Sequence, residues 1–194
     1  MLTKSLVSAI IISCKAVAER TRADCRSGDI MSVIMPGSYD PVTIGHAEMI
    51  RRVAEREDEV YVVIFTNPDK EYRFSLEDRV AMLMLATEEL DNVMVSYSLG
   101  YVVDYMREHG ISRIVKGYRN EKDLEWENYQ AEYNMKHGGY ETELILTDEK
   151  YAHISSTIVR ERIARGQSLD GLVPASVAEY IRTLTDVPSD EKTV

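Results

Sequence analysis

The stretch at residues 35–50 constrains the fold more than any other part of the chain, and it reads M-P-G-S-Y-D-P-V-T-I-G-H-A-E-M-I. A short apolar run at 33–35 leads into it, which is typical of a buried strand. Apolar residues then recur at helical spacing from 44 to 53. The glycines and prolines between these segments let the chain turn and let a ligand approach the backbone. The stretch therefore predicts a strand, a tight loop and the N-terminus of a helix.

This arrangement is suited to binding an anion, because the first N–H groups of a helix have no partner within the helix. His46 falls in the first predicted turn, where its side chain can face a bound phosphate. The loop has neither the Lys-Ser/Thr of a P-loop nor the three spaced glycines of a dinucleotide-binding loop. By its residues alone, it is either a different phosphate-binding loop or a structural turn with a polar cap.

Strand and helix patterns alternate along the rest of the chain. Further strands are predicted at 60–65, 93–97, 111–115 and 144–146, and further helices at 76–90, 101–109, 123–137, 155–165 and 174–184. Ser155 or Ser156 is expected to cap the helix at 155–165. The alternation predicts an α/β fold, a Rossmann-like doubly wound parallel five-stranded sheet with helices on both faces. The predicted loop at 116–119, Lys-Gly-Tyr-Arg, would lie at the carboxyl edge of that sheet, where such folds bind ligands.

Charge and composition narrow the possible functions. The net charge of -10 argues against nucleic acid or an anionic membrane as a partner, so any phosphate must be met by a local group of cations. Cys14 and Cys25 have no C-x-x-C spacing and are read as free thiols of an intracellular protein. The four histidines are scattered along the chain, so they do not predict a metal centre.

The two ends of the chain differ from its middle. Residues 1–30 have the outline of a weak signal peptide, but polar residues break the apolar run, and we interpret them as a dispensable N-terminal extension. Residues 31–185 carry the whole alternating pattern and are expected to form one domain. The polar tail at 186–194 is expected to be disordered.

Thr43-Ile44-Gly45-His46 resembles the T-x-G-H signature of the nucleotidyltransferase superfamily, which transfers a nucleoside monophosphate from a triphosphate to an acceptor. The longer string at 37–46, G-S-Y-D-P-V-T-I-G-H, resembles the phosphopantetheine adenylyltransferase family in particular. Three more blocks match that family in order and spacing: N-P-D-K-E-Y-R-F-S-L-E-D-R-V, V-K-G-Y-R-N-E-K-D-L-E-W-E-N and Y-A-H-I-S-S-T-I-V-R. The similarity runs from about residue 31 to 184. It implies adenylyl transfer from ATP to 4′-phosphopantetheine in coenzyme A biosynthesis, with Mg²⁺ accompanying ATP, a cytoplasmic location and a homohexamer.

The resemblance also implies roles for individual residues. The catalytic residues would be Ser38, which orients the attacking phosphate oxygen, His46, which stabilises charge on the α-phosphate, and Lys70, which binds the acceptor phosphate. The ATP-binding residues would be Ser38, Tyr39, His46, Gly117, Tyr118, Arg119, Glu127, Tyr151, Ala152, His153, Ile154, Ser155, Ser156 and Thr157. The acceptor-binding residues would be Ser38, Lys70, Val102 and Lys116. No protein ligand for a metal is implied.

Each of these blocks also has an ordinary structural reading. Lys70 could be a solvated charge in a polar loop, Glu127 could lie on the solvated face of an acidic helix start, and the serines at 155–156 could simply cap a helix. Lys116 stands where the family commonly has arginine, so the charge is kept and the bidentate geometry is lost.

Two other functions stay open at the sequence level. The S-S-T-x-x-R form at 155–160 also resembles nicotinamide-mononucleotide adenylyltransferases, although Thr43 stands where that family usually has a second histidine. A non-catalytic nucleotide-binding sensor is the other alternative. It would be expected to have lost some of Ser38, His46, Lys70 and Arg119.

A chain that starts at Met31 is expected to fold and to work like the full chain, because the core pattern begins at Ser32. Thermal unfolding and enzymatic turnover of the two chains would be compared. A large fall in melting temperature or activity on removing residues 1–30 would contradict the interpretation of this segment as dispensable.

Overall fold

The computed structural model describes residues 31–185, so the expected N-terminal extension at 1–30 and tail at 186–194 lie outside the described residues. Within that range the chain alternates strands and helices as predicted. The strands are β1 (Ser32–Gly37), β2 (Glu59–Phe65), β3 (Val93–Ser98), β4 (Arg113–Tyr118) and β5 (Glu141–Leu146). The helices are α1 (Ile44–Ala54), α2 (Leu76–Ala86), α3 (Val102–His109), α4 (Glu121–Gly138), α5 (Glu149–Ala152), α6 (Ser156–Ala164) and α7 (Ala175–Leu184). None of the helices in this range is both long and apolar enough to cross a membrane.

The strands form one parallel sheet in the order β3-β2-β1-β4-β5, which confirms the predicted fold class. β1 pairs with β2 along its whole length, from Ser32 to Gly37. Its pairing with β4 stops after Ile34 and Ile114, so the two strands are not paired towards their carboxyl ends. The chain adds β2 and β3 on one side of β1, and β4 and β5 on the other. Open α/β sheets bind ligands at such a change of side.

Helices cover both faces of the sheet. On one face, residues of α1, α2, α6 and α7 form a large apolar cluster with alternate residues of β1 and β2, including Ile50, Leu83, Val159 and Ile181. On the other face, α3 supplies Tyr105 and Met106 to a smaller cluster that includes Ile34 of β1. Alternate side chains of a strand point to opposite faces, so the nearly continuous apolar sequence of β2 follows from burial on both sides.

The structure corrects the predicted end of α2. The helix ends at Ala86 and not at 90. Thr87 follows as the C-cap, its hydroxyl donates to the carbonyl of Leu83 at 3.0 Å and its N–H donates to the carbonyl of Met84. These bonds satisfy carbonyls that the missing turn would have used. Leu90 lies beyond the helix but still packs against the core, so its apolar character reflects burial and not helical structure.

The bounds predicted for the last two strands were also partly wrong. β4 begins at Arg113 and continues through Tyr118, so Lys116 and Gly117 lie in a strand and not in a loop. β5 begins at Glu141, three residues before the predicted start. It is one of the two edge strands and keeps some exposure along its length, so its polar residues Glu141 and Glu143 hid the strand pattern. The single-turn helix α5 was not predicted because four residues carry too little periodicity.

Candidate active site

A cavity of about 360 Å³ lies where β1 and β4 separate. Its walls come from the carboxyl ends of β1 and β4, the N-termini of α1 and α6, and the first turns of α4. Two helix N-termini at one cavity favour an anionic ligand, because each presents unpaired N–H groups and the positive end of a dipole. Four cationic side chains complete the lining: Lys70, Lys116, Arg119 and Arg160.

The N-terminus of α1 is fixed by a reciprocal contact between Thr43 and His46. Thr43 is the N-cap, and its hydroxyl accepts the N–H of His46 at 3.3 Å. In return, the backbone N–H of Thr43 donates to Nδ1 of His46 at 3.0 Å. This is a capping box in which histidine takes the place of the usual Glu or Gln at the third helical position. Because Nδ1 accepts, the proton of the neutral ring is assigned to Nε2.

The surroundings keep His46 neutral. Burial is the main cause that lowers its pKa from 6.5 to about 4, and the positive charges of Arg119 and Lys116 lower it further. The ring of Tyr39 meets the imidazole edge-on with 5.3 Å between centroids. Tyr39 is itself buried and donates its hydroxyl to the carbonyl of Met35 at 3.0 Å. His46 is therefore a held, neutral hydrogen-bond donor at the wall of the cavity.

Helix α4 supplies two carboxylates one turn apart, Asp123 and Glu127. Each contacts a cationic side chain, either in β4 or just after it. Arg119 Nε lies 2.8 Å from Asp123 Oδ2, and its Nη1 donates to the carbonyl of Ile154 at 3.3 Å. Lys116 Nζ lies 3.4 Å from Glu127 Oε2. The side chain of Glu127 is only 13% exposed, so it does not belong to a solvated acidic face. Asp123 lines the cavity and was not among the site residues predicted from the sequence.

The N-terminus of α6 is built by the predicted serine-rich block. Ser155, one of the two candidates, is the N-cap and accepts the N–H of Ile158 at 3.2 Å. Ser156 donates its hydroxyl to the carbonyl of Pro41 at 2.8 Å, which ties α6 to the loop after β1. Arg160, one turn on, donates to the carbonyl of Asp40 at 2.7 Å and to Thr157 Oγ1 at 3.0 Å. Arg160 ends the S-S-T-x-x-R motif but was not among the site residues predicted from the sequence.

Lys70 reaches the cavity from the loop between β2 and α2. Its side chain is exposed, and Nζ donates to Ser38 Oγ at 3.5 Å. The carboxylate of Asp40 holds the end of the same loop by accepting the backbone N–H groups of Arg73 and Phe74, each at 3.0 Å. Asp40 is 2% exposed and was missed in the sequence, where nothing links it to a loop more than thirty residues away.

The structure brings most of the predicted site residues to this one cavity. The predicted residues that line it are Ser38, Tyr39, His46, Lys70, Lys116, Gly117, Arg119, Glu127, Tyr151, Ile154, Ser155, Ser156 and Thr157. Tyr118, Ala152, His153 and Val102 are not part of the lining. Val102 instead packs against the smaller apolar cluster. The roles given to these residues by resemblance stay predictions.

Comparison with known proteins gives a consistent result. Residues 34–162 match the family model described as cytidylyltransferase-like. The chain is 42% identical over 154 residues to the phosphopantetheine adenylyltransferase of Symbiobacterium thermophilum, covering 79% of this chain and 95% of that protein. It is 38% identical to the enzyme of the same name from Corynebacterium glutamicum, over 78% and 95% of the two chains. It is 39% identical to the Clostridium novyi protein of that name, covering 76% of this chain and 92% of that protein.

In the ligand-free protein, His46 is expected to be the Nε2–H tautomer and to take up a proton only near pH 4. Well above pH 6.5 the ring is neutral in both the folded and the unfolded chain. As the pH falls from 6.5 towards 4, the unfolded chain binds a proton that the folded chain does not, so His46 lowers stability in that window. Nitrogen chemical shifts of the labelled imidazole across pH 4–8 would test this. A midpoint near 6.5, or a proton on Nδ1, would contradict it.

Proposed function

This chain belongs to the phosphopantetheine adenylyltransferase family, and from that premise we propose that it transfers AMP from ATP to 4′-phosphopantetheine. An oxygen of the acceptor phosphate bonds to the α-phosphorus of ATP, the bond from that phosphorus to the bridging oxygen breaks, and pyrophosphate leaves. The products are dephospho-coenzyme A and pyrophosphate. One observation carries the proposal: four cations and two helix N-termini surround one cavity in a chain of net charge -10. Two anionic substrates can meet there although the chain as a whole would repel them.

The acceptor end of the cavity is assigned to Ser38, Lys70 and Lys116. Lys70 Nζ already contacts Ser38 Oγ at 3.5 Å, so both can bind one phosphate placed between them. A phosphate monoester is ionised at neutral pH, so its attack needs no strong general base. The requirement on the protein is to hold the attacking oxygen in line with the bond that breaks.

His46 is assigned to the α-phosphate. Its Nε2–H is the free donor of a ring whose Nδ1 is already bonded to the N-cap of α1. Phosphoryl-type transfer is accelerated mainly by positioning and by stabilising charge on the oxygens in the transition state. A neutral donor fixed before the substrate arrives meets that requirement without a change in protonation.

The triphosphate of ATP is assigned to the side of the cavity formed by α6 and Arg119. The N–H groups at the start of α6 and the guanidinium groups of Arg119 and Arg160 can bind phosphate oxygens there. On binding phosphate, Arg119 would either give up its contact with Asp123 or contact both groups. The adenine would then lie near Tyr151 and Ile154, which line the same side.

Mg²⁺ is expected to accompany ATP. Among residues 31–185, no group of three or more His, Cys, Asp or Glu side chains is arranged to hold a metal ion. The two cavity carboxylates, Asp123 and Glu127, already face cations. These residues fit a metal bound mainly by substrate phosphates and water, which is usual for Mg²⁺. When bound, it would neutralise part of the triphosphate charge.

We also propose that the enzyme is a homo-oligomer, a hexamer by resemblance, and that it acts in the cytoplasm. Helix α4 supports the first part, because it has no buried residue in 18 and exposes Trp126, Tyr129, Tyr133 and Met135. Large exposed apolar surface often marks a protein–protein contact. Sedimentation at micromolar concentration would measure the assembly state.

The reaction is tested by following pyrophosphate release with ATP and Mg²⁺, offering 4′-phosphopantetheine and nicotinamide mononucleotide separately. Turnover is expected only with 4′-phosphopantetheine, and mass spectrometry should identify dephospho-coenzyme A. Turnover with the mononucleotide alone would assign the chain to the other adenylyltransferase group. ATP binding without turnover on either acceptor would favour the sensor.

His46→Gln and His46→Ala are each expected to lower kcat on the order of 10²- to 10³-fold, because the imidazole donor acts mainly in the transition state. Gln can keep the capping box, since it is a usual residue at that position, whereas Ala loses it at a cost of about 1 kcal/mol. Urea unfolding should therefore separate the two variants while kinetics do not. His109→Gln, at the end of α3 and outside the cavity lining, is the control and should keep full turnover. Full turnover in His46→Gln would overturn the assignment.

A further inference from the structure

Arg79 is a fully buried guanidinium on α2 that does not line the cavity. It is 2% exposed and has no carboxylate at ion-pair distance among residues 31–185, although the charges of Asp40 and Glu77 act on it from farther away. Its Nε is buried without a hydrogen-bond partner. Burying a charge without a close counter-ion is costly, so the contacts that it does make need an explanation.

Those contacts join two loops. Arg79 Nη1 donates to the carbonyl of Ser38 at 3.0 Å, and the guanidinium carbon lies 4.0 Å from the centroid of the Tyr72 ring. One edge of the planar group therefore holds the loop after β1, and one face holds the loop between β2 and α2. Lysine cannot replace both contacts, because its ammonium has no planar face to stack and no rigid fork of donors.

Tyr72 in turn supports the turn that carries Lys70. Its hydroxyl accepts the N–H of Asn67 at 2.8 Å. Asn67 then accepts the N–H of Asp69 on its side chain at 2.9 Å and the N–H of Lys70 on its carbonyl at 3.1 Å. The path from Arg79 to the backbone of Lys70 is thus three contacts long, through Tyr72 and Asn67, and the path from Arg79 to Ser38 is one.

We propose that Arg79 is a positioning residue that sets the separation of Ser38 and Lys70, and so the site of the acceptor phosphate. The inference rests on the proposed function, since it uses Ser38 and Lys70 as the acceptor-binding pair. Arg79 touches neither substrate. Its two contacts are made at Ser38 and Tyr72, whereas α6, where ATP is assigned, contacts the loop after β1 farther along, at Asp40 and Pro41. The effect of Arg79 is therefore expected mainly on the acceptor.

Arg79→Lys and Arg79→Met would be measured with each substrate varied at saturating levels of the other. We expect kcat/KM for 4′-phosphopantetheine to fall roughly 10- to 100-fold in both variants, since misplacement by about 1 Å can cost that much. KM for ATP should stay within about twofold. Tyr72→Leu should give the same pattern, and adding it to Arg79→Lys should lower the value little further, because the two side chains act through one contact.

Arg113→Met is the matched control. Arg113 also has a buried Nε without a partner, but it lies at the start of β4, in an ion-pair group with Glu57 and Glu143 away from the cavity. Its loss should destabilise the fold and leave the ratio of the two substrates' kcat/KM values unchanged. An equal loss for both substrates in the Arg79 variants, or the same split in Arg113→Met, would overturn the proposal.

Hydrogen exchange separates failure of this inference from failure of the proposed function. In Arg79→Lys, the amides of residues 67–74 should exchange faster than in the wild type, while those of β1 and β2 keep their protection. This outcome supports the positioning role even if the wild type proves to use a different acceptor. Unchanged exchange in 67–74 would overturn the role even if the wild type makes dephospho-coenzyme A.

Discussion

The loss of pairing between β1 and β4 after Ile34 and Ile114 is the constraint on which the rest of the site depends. If the two strands stayed paired to their ends, the space that now holds the cavity would be filled by backbone. Their separation lets α1 begin beside the carboxyl end of β1, with its N–H groups turned towards the gap. It also places Lys116 of β4 opposite Pro36 of β1, where the ammonium donates to the Pro36 carbonyl at 3.4 Å.

The electrostatic potential in the cavity between β1 and β4 depends on two carboxylates as much as on the cations. Asp123 contacts Arg119 and Glu127 contacts Lys116, and the two carboxylates offset charges that would otherwise repel each other. Both cations still act on His46, whose pKa they help to lower. The cations that are proposed to bind phosphate therefore add to the effect of burial, which is the main reason that the nearby imidazole is neutral.

The sequence predicted the parts of the fold that depend on local pattern and missed those that depend on distant contacts. The strand and helix signals around 33–53 are strong because apolar spacing and turn residues agree there. Nothing local links Arg79 to Ser38, or Arg160 to Asp40, since each pair is far apart along the chain and meets only after folding. The start of β5 was missed for a different reason: at a partly solvated edge, burial does not impose alternation on Glu141 and Glu143.

The capping box of α1 joins folding and chemistry in one residue. A glutamate or glutamine at position 46 would satisfy the N–H of Thr43, but it would offer no imidazole to the cavity. Histidine does both because its two nitrogens are separate: Nδ1 is bonded to the helix start and Nε2 remains free to donate. The bond to Nδ1 also chooses the tautomer, so the donor is present as soon as the first turn forms. Formation of this helix end therefore also fixes the hydrogen-bond donor that we propose for the α-phosphate.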